Sequence, residues 1–315
     1  MKTSTTKEWL ARYGTILTIL LLTLTFSLFV DGFATVSNLW LLLQQISVLS
    51  LVAIGMTMMK ISVEAGFDLS LGALAILSSA IVAIFLTVGF PIWLAILLTL
   101  SLGVFGGLVN GFLTSVINVP TLIETLAMRT ILLGVLLVIT GGRSISQLPD
   151  QFTLIARGTV LTVPFPVILV FAMYILFHFF TTKTRYGYYL YTTGYNTEVA
   201  ESVGINPLSY RLLAFACAGF FASLAGVLLT ARIGMYAATY TGVYLLESVI
   251  AVFIGASVFN KGKANILGTF IGVLLLGVLS NGFSIIGASR ALIKTLQGLV
   301  FLLAVSASMI LVKND

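Results

Sequence analysis

The sequence offers little acid–base or nucleophilic chemistry. Its 315 residues contain one histidine, His178, and one cysteine, Cys217. A serine hydrolase needs an acid–base partner for its nucleophile, and His178 has no acidic residue close in sequence. A lone cysteine within an apolar segment excludes an intrachain disulfide and a metal site of several cysteines. We therefore predict no catalytic residue and no metal site, and we expect a protein that is not an enzyme.

The chain also lacks the loop with which many ATPases hold phosphate, Gly-x-x-x-x-Gly-Lys-Ser/Thr. The nearest approach ends at Gly262-Lys263, where Ser257 replaces the first glycine and Ala264 replaces the hydroxyl residue. If ATP drives this protein, the ATPase is another polypeptide.

Ionisable residues inside apolar segments are the more informative candidates, because burying a charge in a membrane is costly and usually serves a function. Glu247 lies within one such segment and Asp68 begins another. For Glu247 we favour a polar cavity over contact with lipid. For Asp68 a structural cap on the following helix is at least as good an explanation as contact with a transported solute. These groups are too few and too scattered for a proton-coupled transporter.

Composition indicates the elements that hold these residues. The chain is 59% hydrophobic and 8% charged, against about 25% charged for a soluble domain. A helix of about 20 apolar residues crosses a bilayer. We predict an all-α polytopic membrane protein, a single domain over residues 1–315, with about ten transmembrane helices. The predicted spans are residues 13–30, 38–60, 69–89, 92–117, 121–141, 161–180, 208–231, 243–259, 264–286 and 291–312.

The basic residues predict the orientation, since cytoplasmic loops of membrane proteins are enriched in Lys and Arg. With both termini in the cytoplasm, the larger group of basic residues falls inside and the smaller group outside. The inside group is Lys2, Lys7, Arg12, Lys60, Lys183, Arg185, Lys261, Lys263 and Lys313, and the outside group is Arg143, Arg157, Arg232 and Arg290.

The same orientation places residues 181–207, the longest polar stretch, in the cytoplasm. The stretch contains a short predicted helix: Asn196 can cap its start, Glu198 suits its first turn, and Gly204 can end it in a left-handed conformation. Pro207 prevents its continuation. A helix of this length is marginal alone in water, so a partner should hold it.

An internal repeat is also predicted. Gly106–Phe112 and Gly277–Phe283 share an Asn-Gly-Phe ending, and Leu122-Ile-Glu-Thr-Leu126 recurs as Leu292-Ile-Lys-Thr-Leu296, at offsets of 171 and 170 residues. The copies are five spans apart, so the halves, roughly 38–141 and 208–312, would be inverted in the membrane. Inverted repeats place a transport path at their interface. The alternative for Asn110 and Asn281 is a helix–helix hydrogen bond beside a small glycine.

Several motifs together resemble one family. Gly66-Phe-Asp-Leu-Ser-Leu-Gly72 resembles the Gly-Ile-Asp-Leu-Ser-Val-Gly signature of sugar-type ABC transporter permeases, the ribose, galactose and xylose group of bacterial binding-protein-dependent importers. Thr140-Gly-Gly-Arg-Ser-Ile-Ser146 is similar to the family's Thr-Gly-Gly-Arg-Pro-Ile, and Thr184-Arg-Tyr-Gly187 to its Thr-Arg-Phe-Gly. Residues 194–205 resemble its Gly-x-Asn-x-x-Ala-Ala-x-x-x-Gly-Ile loop. Ile254–Ser257 with Gly262–Thr269 resembles a later Gly-rich element, and the matches keep family order from about residue 40 to 305.

The resemblance implies a dimeric permease in the bacterial inner membrane, made of two copies or of this chain and a paralogue. It also implies cytoplasmic ATPase subunits that use ATP and Mg²⁺, and an external sugar-binding protein; this chain would need no cofactor and no nucleic acid. The residues that resemble the family signature are Gly66, Asp68, Ser70 and Gly72. The residues implied to couple the permease to the ATPase are Gly194, Asn196, Glu198, Val199, Ala200, Val203, Gly204 and Ile205, with Val199 and Val203 as an apolar ridge and Ala200 as a site of close docking.

The sequence departs from the family pattern at Glu64-Ala65, at Leu245–Glu247 and at Asn260-Lys261, which leaves the solute open. The leading hypothesis is a permease subunit that moves a monosaccharide or similar small polar solute into the cytoplasm. Its polar path would include Asp68, Ser70, Asn110, Glu247 and Asn281, because a sugar needs partners for its hydroxyl groups. A secondary transporter that works without an ATPase is the main alternative, and a membrane enzyme or channel is a third.

Overall fold

The chain folds almost entirely into α-helices, because a segment in lipid must satisfy its backbone hydrogen bonds internally. The computed structural model describes residues 3–63, 66–239, 244–259 and 262–312, with side chains described between residues 13 and 302. Glu64-Ala65, Asn260-Lys261, Lys2 and Lys313 lie outside the described residues, as do the side chains of Lys7 and Arg12. The elements are α1 (Thr3–Phe29), α2 (Val36–Ser62), α3 (Leu71–Thr87), α4 (Ile92–Ser115), α5 (Thr121–Thr140), α6 (Asp150–Arg157), β1 (Thr159–Val160), β2 (Val163–Pro164), α7 (Phe165–Lys183), α8 (Arg185–Tyr195), α9 (Thr197–Ser202), α10 (Pro207–Ile233), α11 (Leu245–Ser257), α12 (Ile266–Ile285) and α13 (Arg290–Val312).

Six of the described helices are long and apolar enough to cross a membrane, namely α2, α4, α5, α7, α10 and α12. Tyr13–Phe29 of α1, and α3 and α11, are shorter apolar helices. The prediction of an all-α polytopic membrane protein is thereby confirmed. A helix also occupies each of the ten segments predicted to span, with bounds that differ from the predicted ones by a few residues, except that α1 begins earlier, at Thr3.

The core is built around α2, α10 and α12. In the most apolar window of each of these helices 67% of residues are buried, against 22% in α4 and 17% in α5. The first three helices are therefore central, and α4 and α5 leave most of their apolar surface uncovered by this chain.

Glycines allow α4 and α10 to cross with their backbones in contact. A Cβ added to Gly107 would lie 2.1 Å from the carbonyl oxygen of Phe215, and one added to Gly219 would lie 2.1 Å from that of Gly103. Small residues at a helix crossing are typical of membrane bundles, where close packing replaces the hydrophobic effect as the driving force.

The helices connect two ends of the molecule, which we call the α9 end and the α6 end. The α9 end contains the C-termini of α2 and α4 and the start of α3, because Gly194 packs on Ile61 and Asn110 bonds to Asp68. The α6 end contains the start of α2 and the C-terminus of α10, which is held there by an antiparallel bridge from Tyr236 to Ile145.

Three elements were not predicted. The amphipathic helix α6 lies between two predicted spans, and the β1–β2 hairpin precedes α7, so that α7 begins at Phe165 instead of residue 161. The third is α8, an 11-residue helix within the polar stretch at residues 181–207. These elements are too short for hydropathy alone to indicate them.

Candidate functional site

The short helix α9 forms where its caps predict. The Asn196 side chain accepts a hydrogen bond from the backbone N–H of Val199 at 3.0 Å. At the other end Gly204 has a φ of +78°, and the Ile205 N–H bonds to the Ala200 carbonyl at 2.9 Å. This left-handed termination is the one that glycine permits at little cost.

The outer face of α9 is apolar at its centre. Val199 is 51% exposed and Val203 is 66% exposed, and Glu198 and Glu201 are also exposed. Two exposed valines one helical turn apart form an apolar ridge, as expected. Ala200 differs from the expectation, because it is fully buried against this chain and does not offer its side chain to a partner. Its small size serves instead to let α9 lie close to the rest of the molecule.

Helices α8 and α9 are fixed to the bundle. A Cβ added to Gly194 would lie 2.1 Å from the carbonyl oxygen of Ile61 at the end of α2. Arg211 in α10 donates to the hydroxyl of Thr197 at 2.8 Å. The segment is therefore a firm attachment to α2 and α10.

A third attachment joins α8 to the segment before α12. The Tyr191 hydroxyl donates to the Ala264 carbonyl at 2.9 Å, and the Lys263 ammonium lies 4.7 Å from the centre of the Tyr195 ring. Burial raises the pKa of Tyr191 to about 12, so its phenol remains a donor at neutral pH. Sequence reasoning missed α8, although Thr184 caps it by accepting from the Gly187 N–H.

A second group of residues, which we call the Asp68 cluster, consists of Asp68, Ser70 and Asn110. Asp68 Oδ1 accepts from the backbone N–H of Ser70 at 2.8 Å and from its hydroxyl at 2.6 Å. Asn110 Nδ2 donates to Ser70 Oγ at 2.8 Å and to Asp68 Oδ2 at 3.3 Å. All three side chains are buried. The cluster joins the start of α3 to α4. This role is structural but differs from the helix cap considered for Asp68, because Ser70 is the N-cap residue of α3. The place of Asp68 on a solute path stays a prediction.

Two glycines of the family signature flank the Asp68 cluster. A Cβ added to Gly66 would lie 2.5 Å from the carbonyl oxygens of Met59 and Val63, so the chain can turn from α2 toward α3 only with glycine there. Gly72 is buried in the first turn of α3. The signature therefore folds the connection that presents Asp68 and Ser70.

Glu124 lies beside the Asp68 cluster and was not among the predicted site residues. It is buried, and neither carboxylate oxygen has a hydrogen-bond partner among the described residues. The hydroxyl of Thr114 approaches it without a bond of normal length, so its main cost is burial without a partner. The available signal was its position in the first turn of α5, a helix that begins directly after Pro120.

A third group lines a cavity of about 220 Å³ between α2, α11, α12 and α13, which we call the Glu247 pocket. Glu247 is buried and accepts a hydrogen bond from the Lys294 ammonium. Glu247 therefore lines a cavity within this chain, and its place on a polar path stays a prediction. The polar residues that line the pocket are Gln45, Glu247, Ser280, Arg290, Lys294 and Gln297.

Asn281 lies near this pocket but does not line it. Its amide pairs with that of Asn38 through two hydrogen bonds, of 2.9 and 3.0 Å, and Asn38 also donates to the Phe33 carbonyl. Asn281 is thus engaged at the α6 end, whereas Asn110 is engaged at the α9 end. The two asparagines of the repeat lie at opposite ends of the molecule.

Comparison with known proteins places the chain in a family of transporters. Residues 38–305 match the family described as branched-chain amino acid transport system / permease component. The ribose import permease of Escherichia coli K12 is 33% identical over 304 residues, which cover 95% of this chain and 94% of the relative. That of Bacillus subtilis is 33% identical over 296 residues, covering 93% and 91%. The galactofuranose transporter permease of Escherichia coli K12 is 30% identical over 248 residues, covering 77% and 72%. No solved structure shows a significant match.

These matches extend over nearly the whole chain, so they describe all of it and not a single motif. The relatives are permeases, which confirms the prediction of a transport subunit in place of an enzyme. Together with the apolar helices, they confirm a multi-pass protein of the bacterial cell (inner) membrane. The resemblance to ABC transporter permeases is confirmed, and the chain belongs to the family of branched-chain amino acid transport system permease components.

Proposed function

We propose that this chain is the membrane-spanning permease subunit of an ATP-driven importer that carries a monosaccharide, or a similar small polar solute, into the cytoplasm. The observation that carries the proposal is the 33% identity over 95% of the chain to a ribose import permease. The family description mentions branched-chain amino acids, but the relatives whose names state a solute are permeases for ribose, galactofuranose and fructose. A sugar is therefore the favoured solute.

The orientation belongs to the same proposal. We infer ten spans with both termini in the cytoplasm, so that the α9 end faces the cytoplasm and the α6 end faces outward. The helices at the ten predicted segments support this number. The opposite placement of Asn110 and Asn281 supports inverted halves at roughly 38–141 and 208–312, since a parallel repeat would put both at one end.

On this orientation, α9 is the element that couples the permease to a cytoplasmic ATPase. An exposed apolar ridge on a helix of six residues is unfavourable in water, whereas a groove on a partner would cover it. Because α8 and α9 are firmly attached to α2 and α10, a movement of that partner would displace these helices of the bundle as well. ATP and Mg²⁺ would be bound by the ATPase, and an external binding protein would deliver the solute to a permease dimer.

The test is transport by the assembled importer in lipid vesicles. This chain is purified together with a candidate ATPase and a candidate binding protein from the same organism and supplied with labelled ribose, fructose or leucine. We expect uptake of a sugar that requires hydrolysable ATP and all components, with the non-hydrolysable analogue as the control. Sugar uptake by this chain alone, driven by an ion gradient without ATP, would instead show a secondary transporter. Uptake of leucine without any sugar would refute the proposed solute.

A further inference from the structure

The Glu247 pocket is lined by a buried amide side chain, that of Gln297, whose oxygen lacks a hydrogen-bond partner among the described residues. Gln297 is 7% exposed, and its Nε2 donates to Ser280 Oγ at 2.8 Å, while its Oε1 has no hydrogen-bond partner among the described residues. If the amide were turned over, the amide nitrogen would be the unpaired group instead. Buried polar atoms in native proteins are almost always paired, and Gln297 lines a cavity, so its amide oxygen can accept a hydrogen bond from a group bound there.

The polar groups around the pocket indicate what kind of group this is. Glu247 and Lys294 form an ion pair between α11 and α13, and Arg290 also lines the pocket without an ion pair among the described residues. A solute can bind beside the ion pair without separating it. The ammonium and the Ser280 hydroxyl supply donors, and the carboxylate and the amide oxygen supply acceptors. Such a mixture matches hydroxyl groups, each of which both donates and accepts.

The walls and the volume of the pocket agree with a small solute. Ile46, Leu49 and Leu276 form apolar walls, and the cavity of about 220 Å³ is smaller than the roughly 300–1,000 Å³ of pockets for drug-sized ligands. Apolar walls with a few convergent polar groups are typical of small-molecule sites. The pocket lies near the α6 end, which faces outward in the proposed orientation.

We propose that the Glu247 pocket is a binding subsite for a polyhydroxyl solute, one hydroxyl of which donates to the amide oxygen of Gln297. The subsite rests on the proposed function and adds Ser280, Lys294 and Gln297 to the residues that recognise the solute. At this subsite, the solute would bind within one chain, between α2, α11, α12 and α13.

Thiol labelling tests the subsite without relying on activity. Cys217 is replaced by alanine, and Ser280→Cys or Thr295→Cys is introduced into that background. Thr295 is exposed on α13 and does not line the pocket, so it is the matched control. In the assembled importer, we expect saturating ribose or fructose to slow labelling at position 280 by about tenfold and to leave position 295 unchanged. Equal labelling at position 280 with and without either sugar would overturn the proposal, as would protection by leucine alone.

Transport supplies a second measurement. Gln297→Leu removes the amide at similar size, and we expect about a tenfold rise in the sugar concentration for half-maximal uptake, as for one lost hydrogen bond. Thr295→Val should behave as wild type. If the wild-type importer takes up sugar and Gln297→Leu has an unchanged half-saturation, the subsite is refuted and the proposed function stands. If the wild type takes up no sugar at all, the proposed function itself fails.

Discussion

The apolar ridge of α9 provides the sharpest test of coupling to an ATPase. We predict that replacing Val199 and Val203 together with serine weakens the association of the permease with its ATPase. Full burial of a valine side chain contributes about 1.5–3 kcal/mol. Since these two residues are still 51% and 66% exposed, covering them would contribute about 1.8–3.5 kcal/mol in total. The double variant should therefore bind the ATPase about 20-fold to 400-fold more weakly.

The assay compares the dissociation constant of the ATPase for wild-type and variant permease in nanodiscs, and ATP-dependent uptake in vesicles. Ser202→Ala is the matched control, because Ser202 is exposed on the same helix and contributes no apolar surface. The thermal unfolding temperature of the double variant should equal that of wild type, since both valines face away from the core. Wild-type affinity together with wild-type uptake would refute the role of the ridge. A large loss of thermal stability would show that the valines support the fold instead.

Three further substitutions have defined outcomes. Gly194→Ala should lower the unfolding temperature and uptake together, because its Cβ would overlap the Ile61 carbonyl; unchanged values in both assays would contradict the tight packing. Asn110→Leu should destabilise the permease by about 1–3 kcal/mol in chemical unfolding, because it leaves buried oxygens of the Asp68 cluster unpaired, and a neutral effect would show that the cluster is hydrated. Glu124→Gln should leave thermal stability unchanged or raised, since the amide removes a carboxylate that is buried without a partner among the described residues, and a marked loss would show that the carboxylate is needed.

The parts that the sequence predicted are those decided locally. Long apolar segments place the spanning helices, and the caps Asn196 and Gly204 place α9, because a cap needs only residues within one turn. The sequence could not show whether the Ala200 side chain faces this chain or a partner. A helix of six residues has too few turns for a periodic pattern to define its buried face. That face is set by packing on α8 and α10, and α8 is in turn held on α2 by a long-range contact.

The Glu247 pocket was predicted only through Glu247 itself. Lys294 and Gln297 reach it from α13, and Ser280 from α12, so their meeting depends on how those helices pack against α11. Hydropathy indicates where each helix lies in the sequence, but not how the helix is rotated about its own axis. A single sequence also does not show which helices contact one another. The repeat did indicate that Lys294 stands at the position of Glu124, but the different partners of the two side chains emerge only from the fold.

Helix α10 begins at Pro207, five residues after α9 ends, and continues without interruption for 27 residues to Ile233. At 1.5 Å per residue it is about 40 Å long, so a tilt of about 5° at one end moves the other by about 3.5 Å. Its backbone touches that of α4 at Gly107 and Gly219, and its Ser223 side chain lies against Gly103. Because α10 is continuous from its start beside α9 to the α6 end, it can tilt as one rigid rod, so that a small displacement at α9 moves the far end of the same helix.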